Sequence, residues 1–336
     1  MIKIFCIHLI VVGPLFSSAA LSQDSIPGRK DTISYSKDTI LSSKDTTVIY
    51  KNQAFRLSDV IVRDNLNVAA FIDYVKNDTT FYKAFRNLRL LNYSSLNDIL
   101  INDKKGNIKA SLHSTTTQTY SNGCRTMAVK DEQTTGDFYD KNGNYNYTTA
   151  EMYAGLFFTK GRVCGETNIV RGSSFSVNSK SGMEKHKEQL KQLFFDPGTK
   201  IPGLPFIGNK VALFDKDVSK LYDFRIDEKD YLGQSCYVFT ITPRADLTSG
   251  QKNDIVIDEM ITWFNAKTLE ILARNYSLSY KAGIFDFNVS MEVQLQKLGD
   301  VLVPKVLRYK GYWDVIFKKA ERAVFTATLF DFVSRP

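Results

Sequence analysis

From Phe285 to Gln296 the chain reads F-D-F-N-V-S-M-E-V-Q-L-Q, apolar and polar residues in strict alternation. Successive side chains of a strand point to opposite faces, so the segment predicts one long amphipathic β-strand. Phe285, Phe287, Val289, Met291, Val293 and Leu295 share one face, and the polar residues from Asp286 to Gln296 share the other. At about 3.3 Å per residue such a strand spans roughly 40 Å.

The same pattern predicts strands over 236–242, 255–264, 270–280, 302–309 and 323–333, bounded by Pro243, the 265–268 stretch, Gly283, Gly299-Asp300 and Gly311. Connections this short demand antiparallel neighbours, because a parallel crossover needs a dozen or more residues. A meander with one apolar face must curl around something, either helices or a ligand. Upstream, Val68, Phe71, Ile72 and Val75 recur at helical spacing, and Asp78-Thr79 offers a cap for a second helix carrying Phe81, Phe85 and Leu88. Ile108, Ala110 and Leu112 alternate as a strand, and Asn142-Gly143 signals a tight hairpin between Phe138-Tyr139 and Tyr145-Tyr147. Thr148-x-x-Glu151 has the form of a capping box before Met152, Tyr153, Leu156 and Phe157. A further helix is expected over 183–195, with His186, Leu190, Leu193 and Phe194 on one face. The loop Ile201 to Gly208 carries Leu204 and Phe206 between prolines and glycines. It packs over the end of a sheet or acts as a lid over an apolar cavity. The expected fold is α+β and β-dominated, a long curved antiparallel sheet covering several short helices.

Residues 1–22 hold one charged residue, Lys3, then an apolar run and small residues near Ala20 to Ser22. This is the composition of a secretory signal peptide, too short in its apolar core for a membrane span. Cys6 lies inside that core rather than just after it, so lipidation is not expected, and the mature chain is expected to be periplasmic or secreted. Residues 23–50 read as a flexible polar leader in which Lys-Asp-Thr recurs at 30, 37 and 44. Residues 51–336 then form a single β-rich domain with a helical insertion around 148–208. Removing residues 1–22 leaves 43 Lys plus Arg against 36 Asp plus Glu. That excess is dispersed, which argues against nucleic acid as a partner and allows peripheral contact with an anionic membrane. Three cysteines remain in the mature chain. In an oxidising compartment Cys124 and Cys164 can close a disulfide, leaving Cys236 in a strand, and three buried thiols are the alternative.

Catalytic chemistry finds little support. Only His113 and His186 remain beyond the signal segment, without a His or Cys partner at zinc spacing, so no metal is expected. Gly172 to Ser176 is not a nucleophile elbow. In Gly203 to Lys210, Asn209 replaces the glycine of a phosphate loop and Pro205 removes a backbone donor. Asp258 and Glu259 point to opposite strand faces, and Asp223, Asp227, Glu228 and Asp230 read as a solvated acidic turn. No enzyme and no cofactor is expected.

Three segments in order, Gly233 to Phe239, Trp263 to Thr268 and Val303-Pro304-Lys305-Val306, resemble the LolA-type outer-membrane lipoprotein-sorting superfamily over roughly residues 223–333. The resemblance implies an unclosed β-barrel that wraps helices and holds acyl chains or other hydrophobic ligands on its concave face. The chain departs from the pattern in its large insertion from Cys124 to Gly208, and the early-strand arginine of such carriers finds no match in Arg86 or Arg89. The expected partner is a hydrophobic small molecule, lipid or lipoprotein, bound by the six β-strand residues above together with Trp263, Leu204 and Phe206. A non-enzymatic envelope scaffold whose concave side is filled by its own helices is the alternative, and a secreted hydrolase the remaining one.

Overall fold

The computed structural model describes residues 46–50, 53–61, 66–170, 193–201, 207–281, 285–315 and 319–333. The signal segment, most of the leader, residues 183–192 with His186, and Leu204 and Phe206 lie outside the described residues.

The alternating stretches become β7 (Tyr222–Tyr231), β8 (Gln234–Pro243), β9 (Ile257–Asn265), β10 (Ile271–Lys281), β11 (Phe285–Leu298), β12 (Val301–Val315) and β13 (Glu321–Val333). Each pairs antiparallel with the next. The sheet continues past β13 into β3 (Asn92–Asn102), β4 (Ile108–Ser121), β5 (Cys124–Thr135) and the two-residue β6 (Val163–Cys164). At the other edge β1 (Thr46–Tyr50) and β2 (Gln53–Ile61) join through a parallel pairing of β2 with β7. The result is β-dominated and open, with eleven antiparallel strands from β7 to β6.

Four expectations need correction. The leader does not extend to residue 50, because Thr46–Tyr50 is a strand paired with β2. Gly311 does not end its strand; β12 runs through it, and Gly311 pairs with Val289 and Ala323. The acidic residues 223–230 are not a turn but lie on β7, where Asp227 is buried between Arg225 (3.1 Å) and Lys229 (3.5 Å). Alternation with Phe224 and Ile226 decides the strand, since those two face the core. The Asn142-Gly143 turn closes only a single bridge, Tyr139 to Tyr145, rather than a two-stranded hairpin.

Three helices cover the apolar face. In α1 (Val68–Asn77), Phe71 packs edge-on against Tyr237, Phe239 and Phe264 at 5.3–5.9 Å. Such pairs contribute about 0.5–1.5 kcal/mol each beyond area burial. Asp78 accepts from the Thr80 amide and hydroxyl and so starts α2 (Thr80–Leu88). At its far end Gln118 of β4 donates to the Leu88 and Leu91 carbonyls, satisfying groups that a helix terminus leaves open. In helix α3 (Thr148–Phe157) the N-cap position falls on Tyr147, one residue before the threonine of the expected box, and Tyr147 makes no side-chain cap. The amides of Thr148 and Thr149 donate to the two carboxylate oxygens of Glu321 on β13, at 2.9 and 2.8 Å. A carboxylate at a helix N-terminus also meets the favourable end of the helix dipole. Single-turn helices α4 (Lys216–Ser219) and α5 (Ser249–Lys252) complete the described elements. Among the described residues no helix is long and apolar enough to cross a membrane.

Candidate functional site

Register decides which side chains meet on the apolar face. Met291 pairs with Tyr276 and Tyr309, and Tyr276 with Met260, so all four lie on one side. Phe287, Val289, Met291, Val293 and Leu295 are between 0% and 7% exposed, packed with the protein's own residues. The side chain of Phe285 lies outside the described residues. Trp263 does not join them: it pairs with Ala273, which pairs with Gln294, and so stands on the opposite face, stacked on Tyr231 at 5.3 Å. One residue of strand parity separates it from buried Phe264.

Of the described β11 row, Met291 is the residue that lines a cleft. Between α3 and strands β11 to β13 lies a cleft open to solvent at its mouth and so closely lined that its free space, about 20 Å³, is water-sized. From α3 come Met152, Leu156 and Phe157, and from β12 come Leu307, Tyr309 and Trp313. Phe325 of β13 and Phe194, in the helical residues 193–195, the described end of the helix expected over 183–195, close the remaining sides. The aromatic wall is ordered by contacts: Tyr309 stacks on Phe325 at 4.6 Å, and Trp313 donates its indole N–H to the Tyr309 hydroxyl at 2.6 Å. Gly311 between them leaves the room that the Tyr309 ring occupies; a Cβ there would lie 1.9 Å from the Tyr309 hydroxyl. The Tyr276 hydroxyl donates to the Phe194 carbonyl and thereby ties these helical residues to the sheet.

A second pocket, with free space of the same water-sized order, adjoins the first across a wall shared by Leu156 and Phe157. Phe195 faces it, so consecutive phenylalanines serve the two pockets. Its character is cationic. Arg86 and Arg89 come from the end of α2 and Arg125 from β5. Glu166 receives Arg89 Nη1 at 3.1 Å and Arg125 Nε at 2.5 Å, while Arg86 donates twice to the Thr167 carbonyl, at 3.1 and 2.7 Å. Arg125 also donates to Thr159 and Gln118. The Cys124–Cys164 disulfide builds this arrangement, since it fixes the strand bearing Arg125 beside the segment bearing Glu166. Burial lowers the Arg89 pKa from its ordinary value; Glu166 opposes the shift, and Arg86 and Arg125 add to it. The arginines were present in the sequence but not as a cluster. The readable signal was that linking Cys124 to Cys164 brings their neighbours Arg125 and Glu166 together.

Elsewhere in the core, Arg274 lies under the Phe81 ring at 4.5 Å and donates to the Thr262 hydroxyl. Burial lowers its pKa, and Asp78 and Asp196 counter that shift. Asp196, directly after Phe194-Phe195, is pushed up to about 6 by burial, with Thr199 and Arg274 opposing. His113 stands on the polar face of β4 and contacts Asp98, both half exposed. Cys236 is a free, buried thiol whose pKa burial raises.

The chain matches no protein-family model, and it matches no curated protein.

Proposed function

We propose that the protein binds a single apolar chain, an acyl chain foremost, in the cleft between α3 and strands β11 to β13, and that it does so outside the cytoplasm as a non-enzymatic carrier or sensor. The cleft itself carries the reading. Its walls are almost wholly aliphatic and aromatic and it opens to solvent, and because the free space now in it is water-sized, a chain must part its lining side chains to enter. The resemblance of residues 223–333 to LolA-type carriers points the same way. Relative to the sequence expectation the site is narrower: Met291 alone of the described β11 row lines it, and a chain enters by parting Phe157 and Phe194.

A filled scaffold is the second reading, favoured by the burial of the β11 row against the protein's own side chains. Displacement of the neutral apolar fluorophore N-phenyl-1-naphthylamine separates the two. A carrier takes up the fluorophore and releases it to long-chain amphiphiles, and Met152→Trp, which fills the mouth from the half-buried side of α3, abolishes uptake while leaving circular dichroism unchanged. Absence of uptake by the wild-type protein refutes the carrier.

A further inference from the structure

We infer that the chain bound in the cleft ends in an anionic oxygen head, a carboxylate or phosphate monoester, seated among Arg86, Arg89 and Arg125. The inference rests on the carrier reading and adds the chemical class of its ligand.

Three observations carry it. The apolar cleft and the arginine pocket share Leu156 and Phe157 as a common wall, so a tail that displaces those two side chains runs from one into the other. Among the described residues the charge does not balance: three guanidinium groups line the second pocket, and Glu166 is the one carboxylate that the described contacts bring to them. Clustered, partly buried cations repel one another and lose hydration, and an added anion offsets both costs. Guanidinium groups present paired N–H donors that match carboxylate and phosphate oxygens, and Glu166 already demonstrates the fit, taking Arg125 Nε on one oxygen and Arg89 Nη1 on the other. The disulfide and the Gln118 and Thr159 contacts hold Arg125 in place before any ligand arrives, which limits the ordering cost of binding.

Three ligands with one C18 tail and different heads test it: oleate, oleyl phosphate and oleyl alcohol, each displacing N-phenyl-1-naphthylamine from the full chain with its disulfide intact. At least one anionic ligand is expected to bind about tenfold or more tightly than the alcohol, the value of one charge-assisted hydrogen bond. The better of the two identifies the head as carboxylate or phosphate. Arg86→Gln combined with Arg89→Gln should bring the ratio close to one without changing the affinity for oleyl alcohol. Glu166→Gln, which keeps the shape and removes the competing negative charge, should widen the ratio, and it serves if the double arginine variant does not fold. Equal affinity for all three ligands, or a ratio that ignores both variants, overturns the anionic head and leaves the apolar cleft standing. Failure of all three ligands to displace the probe overturns the cleft reading itself.

Discussion

Replacing Val289 by Asp asks whether the apolar face of β11 is core or ligand wall. Val289 is 2% exposed, and its register partners Leu278 and Gly311 offer no side-chain donor. Losing the buried isopropyl group costs about 1.5–3 kcal/mol. The new carboxyl must also shed its charge, and protonating a group of ordinary pKa about 3.9 at pH 7 costs about 4 kcal/mol. The sum, about 6 kcal/mol, rivals the whole stability of a typical domain, about 5–15 kcal/mol. The pH dependence has a definite sign. The buried carboxyl has a raised pKa, so the folded state holds its proton more tightly than the unfolded one; the penalty is full above the folded pKa and shrinks as pH falls toward 4. Val289→Ala removes the packing alone and should show no such trend. Urea denaturation followed by circular dichroism at pH 7 and pH 4.5 on the wild type and both variants makes the comparison. If Val289→Asp lies within about 1 kcal/mol of Val289→Ala at pH 7, an effect the size of an ordinary single substitution, the side chain faces water or a vacated site and the core assignment is wrong.

Two further substitutions address the cleft and its latch. Gly311→Val should push the Tyr309 ring off Phe325 and break the bond from Trp313, costing about 1–3 kcal/mol and altering the near-ultraviolet circular dichroism; unchanged spectra would show that the ring does not rest there. For Asp196 the folded pKa, about 6, lies above the ordinary 3.8, so its burial costs nothing below pH 4, and stability falls as pH rises through 6. Asp196→Asn should therefore stabilise the protein at pH 8 by about 2 kcal/mol, allowing for residual exposure, and not at pH 4; equal denaturation midpoints at both pH values would refute the raised pKa.

Period-two alternation made the meander legible, because a strand with one buried face writes its register into every second residue, as Phe285 to Gln296 does. What escaped depends on partners distant along the chain. Nothing near Thr148 announces that the first amides of its helix are held by Glu321, more than 170 residues away. Gly311 reads as a turn until the Tyr309 ring is seen covering it, and the acid-rich β7 reads as a loop until its alternate residues are placed in the core. Trp263 was assigned to the apolar face by its chemistry, and strand parity puts it on the other. Half of the candidate site, Met291 with Phe157 and Phe194, came from residues whose apolar pattern was plain. The arginine half needed a disulfide that spacing alone does not pair.

The strand order bears on how the chain reaches this fold. Residues 92–102 are made early, yet the strand beside them is 321–333, the last one described. Until β13 emerges, β3 to β6 have no link to the meander from β7 to β12, and the first half of the sheet waits with an unpaired edge. Closing so long a loop makes folding slow and exposes sticky edges meanwhile. Loss of β13 would leave two half-sheets joined only through helix packing, as where α2 takes Gln118 of β4 on one side and donates from Asn87 to the Leu302 carbonyl of β12 on the other, rather than one slightly shorter sheet.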